Sequence, residues 1–385
     1  MKNILVVFGG RSAEHDVSII TAHMPIIDVL KTQPDVKVWP CYIAKDGSWY
    51  VDNRFMSLTF FQKVSYTDDL SRMHKVDLSL SDGLEVIWPG LRRKSQKIDI
   101  VFPAMHGTYG EDGSLMGLLR MANVPFVGCD LSASVVAMDK VLSKQVTGAQ
   151  GIKSVPYVWF TRQQWAETQD DYLKQINGLR LPLFVKPVHL GSSIGITKVV
   201  SKDVLVNAIE VALHYDDKVI VEQGVQELTE VTVPVMGNDN PRAALVEESL
   251  AKADFFNFED KYIGQGKKTN GGTGQYSNLP AKISRQLYDE AEALALASYK
   301  AIGAQGTARI DLLIDNKDGQ IYLNEINTLP GSLYVHNWKQ AGVSPVELVT
   351  ELIELAQEAH KKRQSVEFTF DSSILKETHG SKFSG

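Results

Sequence analysis

The chain has 385 residues, 44% of them apolar and 22% charged; this is the balance of a globular protein and excludes a stapled peptide, a disordered chain and a collagen-like one. At about 150 residues per domain, that length predicts two or three domains. Lys plus Arg number 40 against 46 Asp plus Glu, a net charge of −6, which argues against a surface built for a nucleic acid backbone; any bound phosphate should be small and locally chelated. Cys41 and Cys129 are the only cysteines and lack CxxC spacing, so a disulfide framework and a cysteine zinc site are excluded and a reducing compartment is expected. The opening apolar run is too short for a signal peptide core, and no later run reaches the ~18 residues of a membrane helix, so a soluble cytoplasmic protein is expected.

Residues 4–8 form an apolar run stopped by Gly9-Gly10. A polar stretch to Asp16 then leads into the helical pattern of Val17-Ser18-Ile19-Ile20, which predicts strand, glycine turn, helix. Residues 36–43 and 98–102 read as further buried strands, with an aromatic-rich insertion at 44–97 between them. A helix over 115–121 and a short strand over 124–127 complete an alternating βα unit with a parallel sheet over 1–129. From 130 to 222 a small α+β unit is predicted: helices at 138–147, 163–176 and 202–214, and strands at 183–187, 195–200 and 218–222. A third unit, 223–365, begins with alternating Val231, Val233 and Val235. It continues through 243–250, a loop at 257–276, a helix at 284–302, strands at 308–314 and 320–325, and a closing helix at 345–360. Of the tail, 366–385, Phe368-Thr369-Phe370 could pair as an edge strand, and 372–385 should fray.

Two constellations carry chemistry. Lys186 ends a strand and is followed by Gly191-Ser192-Ser193-Ile194-Gly195, a loop able to offer several N–H donors to a phosphate while the lysine supplies charge. An ordinary hairpin loop is the other reading. The GxxxxGK[ST] spacing of a P-loop is absent, and Gly9-Gly10 lacks the third glycine of GxGxxG. The second constellation is Arg309-Ile310-Asp311 with Asn324-Glu325-Ile326-Asn327 on the next strand: Asp311, Glu325 and the Asn327 amide could converge hard oxygen ligands suited to Mg²⁺, with Arg309 on the same face as Asp311. Solvated strand ends are the alternative. GxSxG is absent and neither cysteine has a catalytic context.

A lysine before a Gly/Ser loop, Lys261 in a later polar loop, and the Asp, Glu, Asn cluster follow an order that resembles the ATP-grasp superfamily. Residues 9–18, His106-Gly107 with Glu111-Asp112-Gly113, Met138-Asp139-Lys140, 191–195 and 324–331 resemble the signatures of D-alanine-D-alanine ligases, over residues 3–356. The resemblance implies an α/β and α+β, three-domain ATP-grasp architecture clamping ATP between its second and third domains. It implies ATP with Mg²⁺ (two ions, Mn²⁺ as a substitute), D-alanine as substrate, a homodimer, and no nucleic acid or membrane partner. In such ligases ATP phosphorylates the carboxylate of one D-alanine and the amine of a second attacks the acyl phosphate, for peptidoglycan synthesis.

By the same resemblance, Glu14 anchors the ammonium of the first D-alanine and His106 lines that pocket. Lys140, Lys186, Lys261, Ser193 and the loop amides bind phosphates, Glu222 with the backbone after it forms the adenine hinge, and Glu230 holds the ribose. Ser192 ties Glu14 to Tyr262, and Lys261-Tyr262 with glycines 264, 266, 271, 272 and 274 belongs to a mobile lid. Arg309 and the Gly331 N–H stabilise the oxyanion, and Asp311, Glu325 and Asn327 hold Mg²⁺. The family carries additional residues between that glycine and a Ser-Leu pair holding the second substrate's carboxylate. Here Ser332-Leu333 follows at once, which makes Ser332 the acceptor candidate and puts His336, Asn337 and Trp338 at the rim of a reshaped pocket. A ligase for another acceptor, such as D-lactate or D-serine, and a non-enzymatic binding protein are the competing expectations; the full set of phosphate and Mg²⁺ residues speaks against the second.

Overall fold

The structure is a computed structural model that describes residues 1–90, 94–250, 277–372 and 374. The expected α/β and α+β mixture is what it contains. Strand β1 (Lys2–Gly9) lies between β2 (Val36–Ile43) and β7 (Ile100–Pro103) and runs parallel to both, while β3 (Trp49–Val51) adds antiparallel to β2. A strand covered on both faces needs apolar residues at every position, which is why residues 4–8 show no alternation. Ile4, Val6 and Phe8 enter one core cluster with Ile27 and Leu30, and Leu5 and Val7 enter another with Met105, Leu115 and Met116. The insertion after β3 builds its own small antiparallel sheet from β4 (Asp77–Ser79), β5 (Leu84–Trp88) and β6 (Lys94–Ile98). The short strand expected at 124–127 is reduced to one bridge, Val101 with Phe126.

Helix α1 (His15–Thr21) follows β1, and α2 (Ser114–Met121) precedes α3 (Leu131–Met138) and α4 (Lys140–Gly148). The helix expected at 138–147 is α4, and α3 precedes it unexpectedly; the two are divided at Asp139, whose extended backbone and side chain cap α4 by accepting the N–H of Val141 and Leu142 at 2.8 and 2.9 Å. A second sheet, ordered β10-β9-β11-β8, joins β8 (Tyr157–Thr161), β9 (Leu183–Pro187), β10 (Thr197–Val199) and β11 (Lys218–Gln223). Helices α5 (Arg162–Asn177) and α6 (Leu205–Tyr215) accompany it. In the largest sheet the long antiparallel strands β12 (Leu228–Met236), β16 (Thr307–Asp315) and β17 (Gln320–Asn327) are extended by β13 (Arg242–Ala243), β14 (Glu247–Ser249) and β15 (Ser277–Asn278). Helix α7 (Arg285–Ala301) packs on it.

Two differences from the sequence reading stand out. The final long helix, preceded by the short α8 (Val335–Gln340), is α9 (Pro345–Gln364); it pairs with the third unit, Glu351 with Arg242 and Glu358 with Asn238, and also reaches beyond it. Its buried Leu348, Val349, Leu352 and Ile353 join Ile4, Val6 and Phe8 in the core of the first sheet. The edge strand expected at Phe368-Thr369-Phe370 does not form: these residues are irregular, and the two phenylalanines are 72% and 88% exposed. Among the described residues, no helix is long and apolar enough to cross a membrane.

Candidate active site

The turn after β1 brings Gly9 and Gly10 to φ of 87° and 99°, and a Cβ at Gly9 would lie 2.2 Å from the Ile43 carbonyl, so only glycine fits. The turn delivers Glu14, which is 7% exposed, to the start of α1. Three contacts fix it: Ser12 Oγ donates to the His106 carbonyl at 2.7 Å, the Glu14 N–H donates to Ser12 Oγ at 3.2 Å, and Ser192 Oγ donates to Glu14 Oε1. The glycines of two sequence motifs find their reason here. A Cβ on Gly107 would lie 2.8 Å from Glu14 Oε2, and one on Gly191 3.1 Å from it. The predicted Glu14–Ser192 link is present, and it joins the first sheet to the loop after β9.

His106 is buried, with Nε2 2.9 Å from Thr21 Oγ1. Burial, assisted by the Arg309 charge, lowers its pKa to about 4, so it is a neutral hydrogen-bonding group. Thr21 Oγ1 also accepts the Ser332 N–H at 3.4 Å, so His106 and the segment after Gly331 meet at one hydroxyl. There Ser332, Leu333 and Tyr334 have φ of 53°, 50° and 51°, three successive non-glycine residues in the left-handed region. Sequence reasoning gave no role to Glu111, which accepts the Gly107 N–H at 2.8 Å. Burial and the nearby Glu14 carboxylate raise its pKa to about 8.

On β16 and β17 the pleat sets Arg309 opposite Asn327 and Asp311 opposite Glu325, and Thr232 of β12 lies opposite Asp311. Arg309 reaches Asp311 at 2.6 Å and Glu325 at 3.7 Å. Thr232 Oγ1 and Asn327 Nδ2 donate to Asp311 at 2.9 and 3.1 Å, and the Arg309 guanidinium lies 5.5 Å from the Tyr334 ring centroid. Two carboxylates and an amide in neighbouring positions on adjoining strands are a hard-oxygen donor set suited to Mg²⁺.

Beneath the Gly/Ser loop, Lys186 and Glu222 share one face of β9 and β11, because Lys186 pairs with Ile220, two residues from Glu222. Lys186 Nζ lies 2.5 Å from Glu222 Oε2, and Lys144 of α4 lies 2.9 Å from Oε1. These two lysines hold the Glu222 carboxyl down at about 2 despite its burial. The Lys186 pKa is raised by Glu222, Glu325 and Glu230 against the effect of burial. Lys140, at the start of α4, donates to the Leu190 carbonyl at 2.7 Å and so tethers the loop. The Gln223 and Gly224 N–H groups bond the Pro156 and Pro182 carbonyls at 2.9 and 2.8 Å. Glu230 is exposed, opposite Leu313 and so on the Asp311 face of the sheet. Arg309 is felt at His106 and Glu111, and Glu325 at Lys140 and Lys186, so the clusters form one electrostatic site.

The family model described as the D-ala D-ala ligase N-terminus matches residues 3–129, and that described as the D-ala D-ala ligase C-terminus matches residues 146–354. The chain belongs to the D-alanine–D-alanine ligase family. It is 35% identical to the D-alanine--D-alanine ligase of Bacillus velezensis over 377 residues, covering 94% of this chain and 100% of that one. It is also 35% identical to D-alanine--D-alanine ligase A of Escherichia coli K12, covering 94% and 98%. Among solved structures, the ligase from Coxiella burnetii superposes with a TM-score of 0.78 at 28% identity, covering 94% and 96%. The VanG D-Ala:D-Ser ligase of Enterococcus faecalis gives 0.77 at 32%, covering 92% and 99%. The protein is thus a ligase of ATP-grasp architecture, an ATP-using enzyme.

Against the site expected of such a ligase, the structure corrects the acceptor rim. Trp338 is 1% exposed in the core, and Asn337 is fully buried, holding the Leu245 carbonyl and N–H at 2.8 and 3.0 Å. Leu333 also packs into that core, whereas His336 remains half exposed on Glu247 at 2.9 Å. Ser193 sits in the Gly/Ser loop at φ 60°. Lys261, Tyr262 and the lid glycines lie outside the described residues.

Proposed function

We propose that the protein joins two D-alanines into D-alanyl-D-alanine at the expense of ATP, through an acyl phosphate, in peptidoglycan precursor synthesis. The observation that carries this reading is the continuity between Glu14 with Ser192, a fixed anion for an amino acid ammonium, and the Arg309, Asp311, Glu325 and Asn327 cluster. In this reading Glu14 holds the first D-alanine and His106, being neutral, shapes its pocket without adding charge. Lys140, Lys186, Lys261 and Ser193 hold the phosphates. Glu222 and Glu230 mark the nucleoside end, supported by their positions beside Lys186. Asp311, Glu325 and Asn327 would hold Mg²⁺, which when bound would neutralise phosphate charge. Arg309 and the Gly331 N–H stabilise the tetrahedral oxyanion formed when the second amine attacks. Ser332, beside Thr21, receives the second carboxylate. The division near 129 and 222 is supported by the sheets, whose strands fall within 2–103, 157–223 and 228–327.

A D-serine or D-lactate acceptor is the second reading, favoured by the left-handed turn at Ser332, Leu333 and Tyr334 and by the similarity to a D-Ala:D-Ser ligase. Incubation with ATP, Mg²⁺ and D-alanine together with D-serine or D-lactate, with products identified by mass, separates the readings. Dominant D-alanyl-D-alanine is expected between pH 6 and 9. Tyr262→Phe should gain D-lactate ligation by about 5- to 150-fold, because losing its hydroxyl leaves a partner in the Glu14, Ser192 network unpaired. Unchanged product ratios in that variant would move acceptor choice to the turn at Ser332.

A further inference from the structure

Lys144 carries no part in the function described above, yet its side chain is 1% exposed and its ammonium lies against the 3% exposed Glu222. Among the described residues Nζ has no hydrogen-bond acceptor beyond that ion-pair contact, apart from the Tyr157 ring, whose centroid is 6.0 Å away. A buried ammonium is costly unless something requires it. The requirement lies one atom further on: the other Glu222 oxygen holds Lys186, 2.5 Å away, whose side chain is 13% exposed and stands below the Gly/Ser loop. Two lysines sharing one carboxylate leave an excess of one positive charge below that loop.

We propose that Lys144 is a positioning residue for the nucleotide: by holding Glu222 it leaves Lys186 able to exchange that carboxylate for a nucleotide phosphate. The inference rests on Lys186 being a phosphate ligand. Without Lys144 the whole attraction of Glu222 falls on Lys186, the local charge becomes zero, and an incoming phosphate must compete with a desolvated carboxylate. Geometry supports the arrangement. Lys144 lies on α4, whose first residue, Lys140, tethers the loop through the Leu190 carbonyl, so α4 holds both the loop and the carboxylate beneath it. Glu325 and Glu230 also act on Lys186, which makes a neutralised Glu222 the more necessary for an anion to win.

Charge counting orders the variants. Lys144→Met leaves Lys186 with Glu222 and no excess charge. Lys144→Arg keeps the cation that holds Glu222, and with it the wild-type excess of one positive charge. The test is titration calorimetry of the full chain with MgADP, beside the KM values for ATP and D-alanine. Lys144→Met should weaken MgADP binding and raise the ATP KM by about tenfold or more, the loss expected for one charge-assisted contact, with the D-alanine KM little changed. Lys144→Arg should bind MgADP within about threefold of wild type, the range of ordinary context effects. Wild-type affinity in Lys144→Met, or a Lys144→Arg weaker than that limit, overturns the proposal, because a packing role would not be rescued by a bulkier cation. Where Lys144→Met does not fold, Lys144→Gln, which can still donate to Glu222 but carries no charge, is measured in its place, and wild-type MgADP affinity there overturns the proposal. Binding needs no turnover, so an enzyme that fails to ligate D-alanine contradicts the proposed function and leaves this measurement standing.

Discussion

At the level of single residues, the grouping of Arg309, Asp311, Glu325 and Asn327 was legible because strand periodicity is a local rule: Arg309 and Asp311, two apart, must share a face, and a facing strand carrying Glu325 and Asn327 completes it. Lys144 and Glu111 were not legible, since a lysine within a helix or a carboxylate in a loop reads as solvated until distant residues bury it. Asn337 misled for the converse reason: its partner is the backbone at Leu245, far away in sequence. Arg309 should matter in the transition state more than in ground-state binding, because the proposed function sets it against the developing oxyanion and it is already paired with Asp311. Arg309→Met is expected to lower kcat by ~10²-fold or more with small changes in KM, as for removal of one preorganised donor. Steady-state kinetics in both substrates checks this, and a change confined to KM would reassign Arg309 to substrate holding. Glu325→Gln should cost turnover on the same ~10² scale, with a raised Mg²⁺ requirement measured by metal titration.

At the level of elements, strands and long amphipathic helices were legible, and α3 was not. Its sequence, Leu131 to Met138, sets Ser132 and Ser134 on different faces, so no polar stripe betrays a helix. The loop before Gly191 is held by an element-to-element clamp. His189 lies between Asp139, the cap of α4, at 3.3 Å and Asp216, at the end of α6, at 3.0 Å. Hydrogen bonds to Asp139 and then Asp216 raise its pKa from 6.5 to about 9, so the charged form is the one the fold favours. Stability from this clamp is fully present below pH 6.5 and is lost as pH rises through about 9. The melting-temperature gap between wild type and His189→Gln should therefore close between those values. Half exposure limits the gap to ~1 kcal/mol and makes it shrink with salt. A gap constant across that window would mean that His189 acts by packing.

At the level of the whole molecule, α9 was legible as a helix but its destination was not, because an apolar stripe does not say which sheet it covers. It covers the first, so residues 345–364 secure residues 2–9, while Arg363, 3.6 Å from Asp130, and Lys362, 2.7 Å from Asp239, pin its last turn further along the chain. Each of Leu348, Val349, Leu352 and Ile353 contributes ~1.5–3 kcal/mol on burial, a sum comparable to the ~5–15 kcal/mol of a typical fold. A chain ending at Ser344 should be insoluble or molten, whereas one ending at Val366 should melt within ~2 °C of the full chain, since residues 367–372 are exposed. Circular dichroism on both truncations tests the assignment. The turn at Ser332, Leu333 and Tyr334 has a different reach. Each of its left-handed residues withholds ~1–3 kcal/mol from the native state, so a library selected for heat tolerance alone has an easy gain in Ser332→Gly. That gain would discard the hydroxyl proposed to receive the second substrate. Lineages adapting to heat and lineages policed for product fidelity would therefore diverge at this codon, and a survivor's residue there would record which pressure it had met.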